Sequence, residues 1–276
     1  MRAALGTSLQ RLLRIDPLLR IEPTAERVHE ARVQVRRLRS YLKTFRPLLH
    51  GPWSDHLRER LRWLSDVFSG ARDADVLIAD ITKRALAMPG GERTYEDDLL
   101  EPFRKQREDA YAAIATVLSS PTYTYLMDTL IAAARSPQFL PHAYRRARPQ
   151  LDELLRPAWR RLRRAVRLAG SAPHDRDLHG IRIKAKHLRY AVEAVKPVAG
   201  RDARRFAKRV ADLQTILGEH HDAIVAYRAL TERPQTPRCA LLANHIAAEE
   251  HAVAKDRRGR WRDAWERLSD KTPRFW

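Results

Sequence analysis

The chain has 276 residues, 44% hydrophobic and 32% charged, with 53 lysines and arginines against 34 aspartates and glutamates. That much apolar side chain can build one large domain or two ordinary ones, which excludes disorder over the whole length. The formal charge of +19 calls for an acidic partner: nucleic acid, an anionic surface or a phosphate polymer.

Taken in order, helical periodicity alternates with breaks. Leu5, Leu9, Leu12 and Leu13 recur at helical spacing over residues 3–15, and Asp16-Pro17 is expected to end that helix. The opening MRAALGTSLQRLLRI is basic and free of acids, faintly like a transit peptide, but it reads as the first helix of the fold. Thr24 is placed to cap the next helix, which Pro47 closes. After Gly51-Pro52, a helix from about Ser54 carries Leu57, Leu61, Leu64 and Phe68. Ser69-Gly70-Ala71 is expected to interrupt it before DADVLIADITKRALAM.

Pro89-Gly90-Gly91 reads as a loop, residues 93–119 as a long helix, and a further helix opens at Pro121. Pro137 and Pro141 mark a boundary that divides the chain into 1–140 and 141–276. The second part begins with a basic helix over 143–169 and the loop GSAPHD. A helix closed by Pro197 follows, then RDARRFAKRVADLQTILG, HHDAIVAYRAL and a last helix from about Arg238 to Leu268. No stretch alternates with period two and no run of 18 apolar residues occurs, so the chain is expected to be all-α with no membrane span. The single Cys239 excludes an intramolecular disulfide framework and a cysteine-rich zinc site, and fits a reducing compartment.

One stretch occurs twice. VHEARVQVRRLRSYLKTFRP, from Val28 to Pro47, matches LHGIRIKAKHLRYAVEAVKP, from Leu178 to Pro197, without a gap. At about 100° per residue, His29, Arg32, Arg36, Arg39 and Lys43 share an arc of roughly 80° beside an apolar row of Val28, Ala31, Val35, Leu38 and Leu42. His179, Arg182, Lys186 and Arg189 repeat the basic row, beside Ile181, Ala185, Leu188 and Val192. Helices that bury the apolar rows hold the basic rows at the core edge, over a length of about 15 Å, which suits an extended polyanion. VADLQTILGEHHDAIV also aligns with LRWLSDVFSGARDADV, placing Asp222 on Asp73 after a one-residue slip. Two helical bundles related by duplication, with their basic rows meeting, are the simplest architecture.

The H-x-x-R-x-x-x-[RK]-x-L-R pattern in both halves, with L-G-x-x-x-D after the second, resembles the CHAD domain family over essentially the whole chain. The resemblance implies two bundles around a basic central channel, binding of inorganic polyphosphate, association with polyphosphate granules, and a cytoplasmic protein without catalysis or cofactor. The residues it carries over are His29, Arg32, Arg36, Arg37 and Arg39, then His179, Arg182, Lys186, His187 and Arg189. Arg58, Arg62, Lys208 and Arg209 match the family's further basic lining less closely. Phe68-Ser69 departs from the Leu-Gly expected before the first aspartate. An E-x-E-x-K segment, from the triphosphatase domain that often accompanies this family, is not found, so the chain looks like the binding module alone.

Other constellations weigh less. His220-His221-Asp222 has the look of a phosphohydrolase metal pair, but His187, Asp256 and Asp263 are not selected by spacing as further ligands. The first-half equivalents are Ala71, Arg72 and Asp73, so the acid reads as structural and no metal is expected. His174, Asp175 and Asp177 read as helix N-terminus chemistry, and Trp261 with Trp265 as core. No phosphate-cradling glycine loop of the G-x-x-x-x-G-K-[ST] or G-x-G-x-x-G kind is present. Weak, sequence-blind nucleic-acid binding is the alternative that +19 allows, with a metal-dependent phosphohydrolase a more distant one.

Overall fold

The computed structural model describes residues 1–87, 95–233 and 236–270, and the expected loop at Pro89-Gly90-Gly91 lies outside them. Eight α-helices make up the described residues: α1 (Arg2–Ile21), α2 (Ala25–Thr44), α3 (Gly51–Ala87), α4 (Glu96–Leu118), α5 (Pro121–Arg135), α6 (Leu151–Ala169), α7 (Asp175–Thr231) and α8 (Pro237–Ser269). Among them no strand occurs, and the nearest approach to one is a single bridge between Leu49 and Phe139. None of the described helices is long and apolar enough to cross a membrane.

Caps appear where side-chain chemistry supplies them. Thr24 accepts a hydrogen bond from the Arg27 backbone N–H, and Ser120 does the same for Tyr123 at the start of α5. The His174 N–H donates to the Asp177 carboxylate at 3.0 Å, opening α7. Breaks obey the sequence less well. α1 runs through Pro17 to Ile21, because the proline removes a single backbone bond and Ile15 and Leu19 on either side of it are buried. α3 passes unbroken through Ser69-Gly70-Ala71, held by Phe68 and Ala71, both fully buried. α7 continues through Pro197 and kinks at Gly200, whose φ of 71° only glycine adopts freely. The expected helices on either side of Gly218 are therefore one. The basic helix of the second half starts at Leu151, after short 3-10 turns at 141–144 and 148–150.

The main core takes side chains from all eight helices, α4 contributing Ile114 and Leu118. Leu61, Leu64 and Phe68 on α3 are fully buried, each contributing on the order of 1.5–3 kcal/mol. Trp159 meets Phe206 edge-on at 5.6 Å and lies against Trp265 at 5.5 Å, with Trp261 buried nearby, so the tryptophans are core. A smaller core joins the far end of α3 (Ile81, Ala85) and the start of α4 (Leu99, Leu100, Phe103) to Leu230 of α7. Cys239, Leu242 and Ile246 at the start of α8 complete it.

Candidate functional site

α2 and α7 pack on one another, and their buried stripes fix how each is rotated. Val28, Ala31, Val35, Leu38 and Leu42 are buried on α2, as are Leu178, Ile181, Ala185, Leu188 and Val192 on α7. The basic rows are thereby held at the rim of the contact. Ser40 Oγ lies 2.9 Å from His187 Nδ1, and the Arg37 guanidinium sits over the Tyr190 ring at 5.9 Å. Shifted by 150 positions, residues 40 and 37 become 190 and 187. The two contacts thus join the same pair of positions from either side, as in a two-fold self-complementary interface.

Arg32, Arg36, Arg182 and Lys186 form one cluster. Arg32 Nη2 lies 3.5 Å from Asp73 Oδ1 and donates to Ser69 Oγ at 3.3 Å; Arg182 Nη2 lies 3.6 Å from Asp222 Oδ1. Ser69 fills the space that Gly218 leaves open beside Arg182, so the departure at Phe68-Ser69 adds a hydrogen bond and leaves the helix intact. The cations are more enclosed than the acids: the Arg32 and Arg182 side chains are 19% and 18% exposed, Asp73 and Asp222 65% and 53%. Burial, then Arg182, Arg36 and Arg32, pushes the Lys186 ammonium down to about 7 against the pull of Asp222. Burial is also the leading reason that Arg32 and Arg182 lie below the usual arginine range. The Nε atoms of Arg32, Arg36 and Arg182 are buried with no hydrogen-bond partner in the protein. Such donors are costly to leave unmade.

A second group adjoins through His187. Burial, followed by Lys43, Arg161 and Arg58, lowers His187 to about 3, so it is neutral at pH 7. Lys43 is held below its ordinary value by burial and then by Arg161, Arg58, Arg39 and Lys184. Arg39 is lowered by burial and Arg62, with Asp66 opposing. Arg58 donates to Asp55 at 2.8 Å yet keeps a buried Nε unpartnered, and Arg62 is exposed, 3.8 Å from Asp66.

The remaining sequence candidates divide. Arg37 and Arg189 converge on Glu193, at 3.4 and 2.9 Å, and Arg189 also donates to Gln214 at 3.4 Å, so one carboxylate serves both arginines while Arg37 Nε stays buried and unpartnered. Lys208 is exposed, and Arg209 is half-buried with Nη1 unpartnered; neither is among the charges acting on Lys186 or His187. His179 pairs with His221, Nδ1 to Nδ1 at 3.1 Å with ring centroids 4.3 Å apart. Burial first, and neighbouring cations second, lower both, His221 to about 4, so one neutral ring donates to the other. His29, the first-half counterpart, is exposed and lowered by partial burial and then by Arg72, which aligns with His221.

His220, His221 and Asp222 go to three different partners. His220 Nε2 lies 3.3 Å from Asp175, which also receives Arg258 and Arg228; His221 meets His179; Asp222 meets Arg182. Among the described residues no group of three or more His, Cys, Asp or Glu is placed to hold a metal ion. Three contributors were missed in the sequence: Arg72, Arg161 and Lys184. The first two carried a signal, since Arg72 aligns with His221 and Arg161 matches Arg11 at the same 150-residue shift.

Known proteins share this fold. The chain superposes on PptA from Streptomyces chartreusis with a TM-score of 0.79 over 96% of this chain and 97% of that one, at 21% identity, a likeness of fold. It also superposes on the crystal structure of the CHAD domain from the plant Ricinus communis, with a TM-score of 0.75 at 27% identity, over 99% and 91% of the two chains. An uncharacterized protein of Mycobacterium tuberculosis strain H37Rv is 29% identical over 240 residues, 83% of this chain and 44% of that protein. The match in strain CDC 1551 is equally long and identical, so this chain spans less than half the length of both curated relatives. The CHAD domain family model matches residues 3–231, and the chain belongs to the CHAD domain family.

Proposed function

We propose that this chain binds inorganic polyphosphate, without catalysis, along a channel lined by the basic rows of its two halves, 1–140 and 141–276. Arg32, Arg36, Arg182 and Lys186 are its centre, and Arg39, Lys43, Arg58 and His187 extend it. The observation that carries the reading is the surplus of enclosed cations with buried donors left unpaired. A phosphate oxygen accepts from such donors, arginine offering a planar fork and lysine a point charge. Helices packed at their apolar stripes hold these side chains in place before the ligand arrives, and counterion release from the polymer supplies the drive.

The partial burial of these cations favours polyphosphate over nucleic acid. A duplex presents its phosphates on a broad convex surface that reaches such enclosed donors poorly, whereas a thin polymer can thread past them. We place the protein in the cytoplasm, at polyphosphate granules. The test is binding of long-chain polyphosphate in competition with duplex DNA at physiological salt, with free phosphate followed throughout. Binding that excess DNA does not displace, with no phosphate released, is expected. Equal displacement would make the protein a general polyanion binder, and metal-stimulated phosphate release would return attention to His220, His221 and Asp222.

A further inference from the structure

The outward face of α6 carries a basic row that neither the core nor the α2–α7 cluster uses. α6 has six arginines against two acids, both acids in its first turn. At about 100° per residue, Arg160, Arg163, Arg164 and Arg167 share an arc of roughly 100°, opposite the buried Leu155, Trp159, Leu162 and Val166. All four are exposed, and none makes a hydrogen bond or ion pair among the described residues. Arg156, one turn earlier, is taken by Asp152 at 2.7 Å. A merely solvated helix face is usually interleaved with acids at i+3 or i+4, because like charges at that spacing destabilise it. This face has none.

Two further observations tie the row to a ligand. Arg161, on the flank of α6 between the row and the buried stripe, is one of the charges acting on Lys43 and His187, and α6 packs on α2, so this flank of α6 lies beside the second basic group. Arg164 follows it at i+3, one turn further out. In α1, the helix that precedes α2 as α6 precedes α7, the positions matching 160, 163, 164 and 167 are Gln10, Leu13, Arg14 and Pro17. The architecture alone does not require the row, since the other half of the chain does without it.

We propose that the outer face of α6 is an exterior track for the same polymer: a polyphosphate chain too long for the cluster passes Arg161 and lies along Arg164, Arg160, Arg167 and Arg163. This rests on the polyphosphate reading and adds a length preference to it. From residue 160 to 167 the track extends about 10 Å.

The experiment titrates wild type and the variant Arg160→Glu/Arg163→Glu/Arg164→Glu/Arg167→Glu with tripolyphosphate, long-chain polyphosphate and duplex DNA, each over the same series of salt concentrations. The corresponding four-fold Arg→Gln variant repeats it without charge reversal; glutamate and glutamine are both good helix formers, and circular dichroism checks the fold. Long-chain affinity is expected to fall about tenfold or more with a shallower salt dependence, while tripolyphosphate stays within about twofold. Unchanged long-chain affinity would overturn the track, as would equal loss for both probes or a loss confined to duplex DNA. If wild type binds both probes and the variants match it, only the track fails. If wild type binds neither, the polyphosphate reading fails with it.

Discussion

Two clusters of enclosed charge among the described residues are treated in opposite ways. In the smaller core, Arg84 meets Asp80 at 3.7 Å, Glu249 at 2.9 Å and the buried Glu250. Burial and then Asp80 raise Glu250 to about 8, so it is largely protonated at neutral pH, and the single cation Arg84 is fully met by Asp80 and Glu249. At the α2–α7 crossing, four cations face two acids that are more exposed than the cations are, and guanidinium donors go unpaired. Enclosed charge that is matched holds helices together. Enclosed charge left in surplus costs stability and becomes affinity once an anion arrives.

The sharpest way to break the contrast is charge reversal. Arg36→Glu with Lys186→Glu should weaken polyphosphate binding at least about a hundredfold, roughly 3 kcal/mol, with helicity by circular dichroism unchanged. A loss of only a few-fold would sink the assignment of the site.

The smaller core should show the converse. Arg84→Gln leaves polyphosphate affinity within about twofold but lowers stability in urea by about 3 kcal/mol at alkaline pH. The loss is smaller in mild acid, where Glu250 carries a proton and needs no partner. Because the folded value of Glu250 lies above its ordinary 4.5, its contribution to stability is complete below that pH and is lost as pH rises through about 8. An equal loss at both pH values would contradict this.

Binding has its own pH dependence. Bound phosphate restores charge to Lys186, whose free value is about 7, so binding takes up a proton and affinity should fall, by about tenfold at most for each pH unit, as pH rises above 7. For folding without ligand, the sign is opposite: a depressed lysine contributes stability above its ordinary value that is lost as pH falls through about 7. Lys186→Arg keeps the charge and should flatten the binding profile; His29, His179 and His221 titrate lower and survive that substitution. The smallest effect is expected at Gly218, where an added Cβ meets nothing closer than Arg182 Nε at 3.8 Å. Gly218→Ala should raise stability by about 1 kcal/mol, read as a higher melting temperature, and leave affinity alone.

The contrast was only half legible in the sequence. The 150-residue shift brought out the rows on α2 and α7, because side chains that must stand at a core edge keep helical spacing. Arg189–Glu193 could also have been read, as an i, i+4 pair; that Arg37 shares the same glutamate depends on how α2 lies on α7. Arg161 lies in a helix read only as basic, and its match to Arg11 alone does not say which face of that helix meets α2. Breakers misled where packing outweighed them: Phe68 and Ala71 hold α3 straight through Ser69-Gly70, and α7 survives Pro197 to kink at Gly200. The smaller core was invisible, since it needs the ends of α3 and α7 and the starts of α4 and α8 together.

The most direct test is a crystal structure of the protein with polyphosphate bound. Phosphate oxygens should lie within hydrogen-bonding distance of Arg32, Arg36, Arg182 and Lys186, with their now unpaired guanidinium donors occupied. A polymer found only on exposed arginines, with that cluster unchanged and unoccupied, would contradict the account.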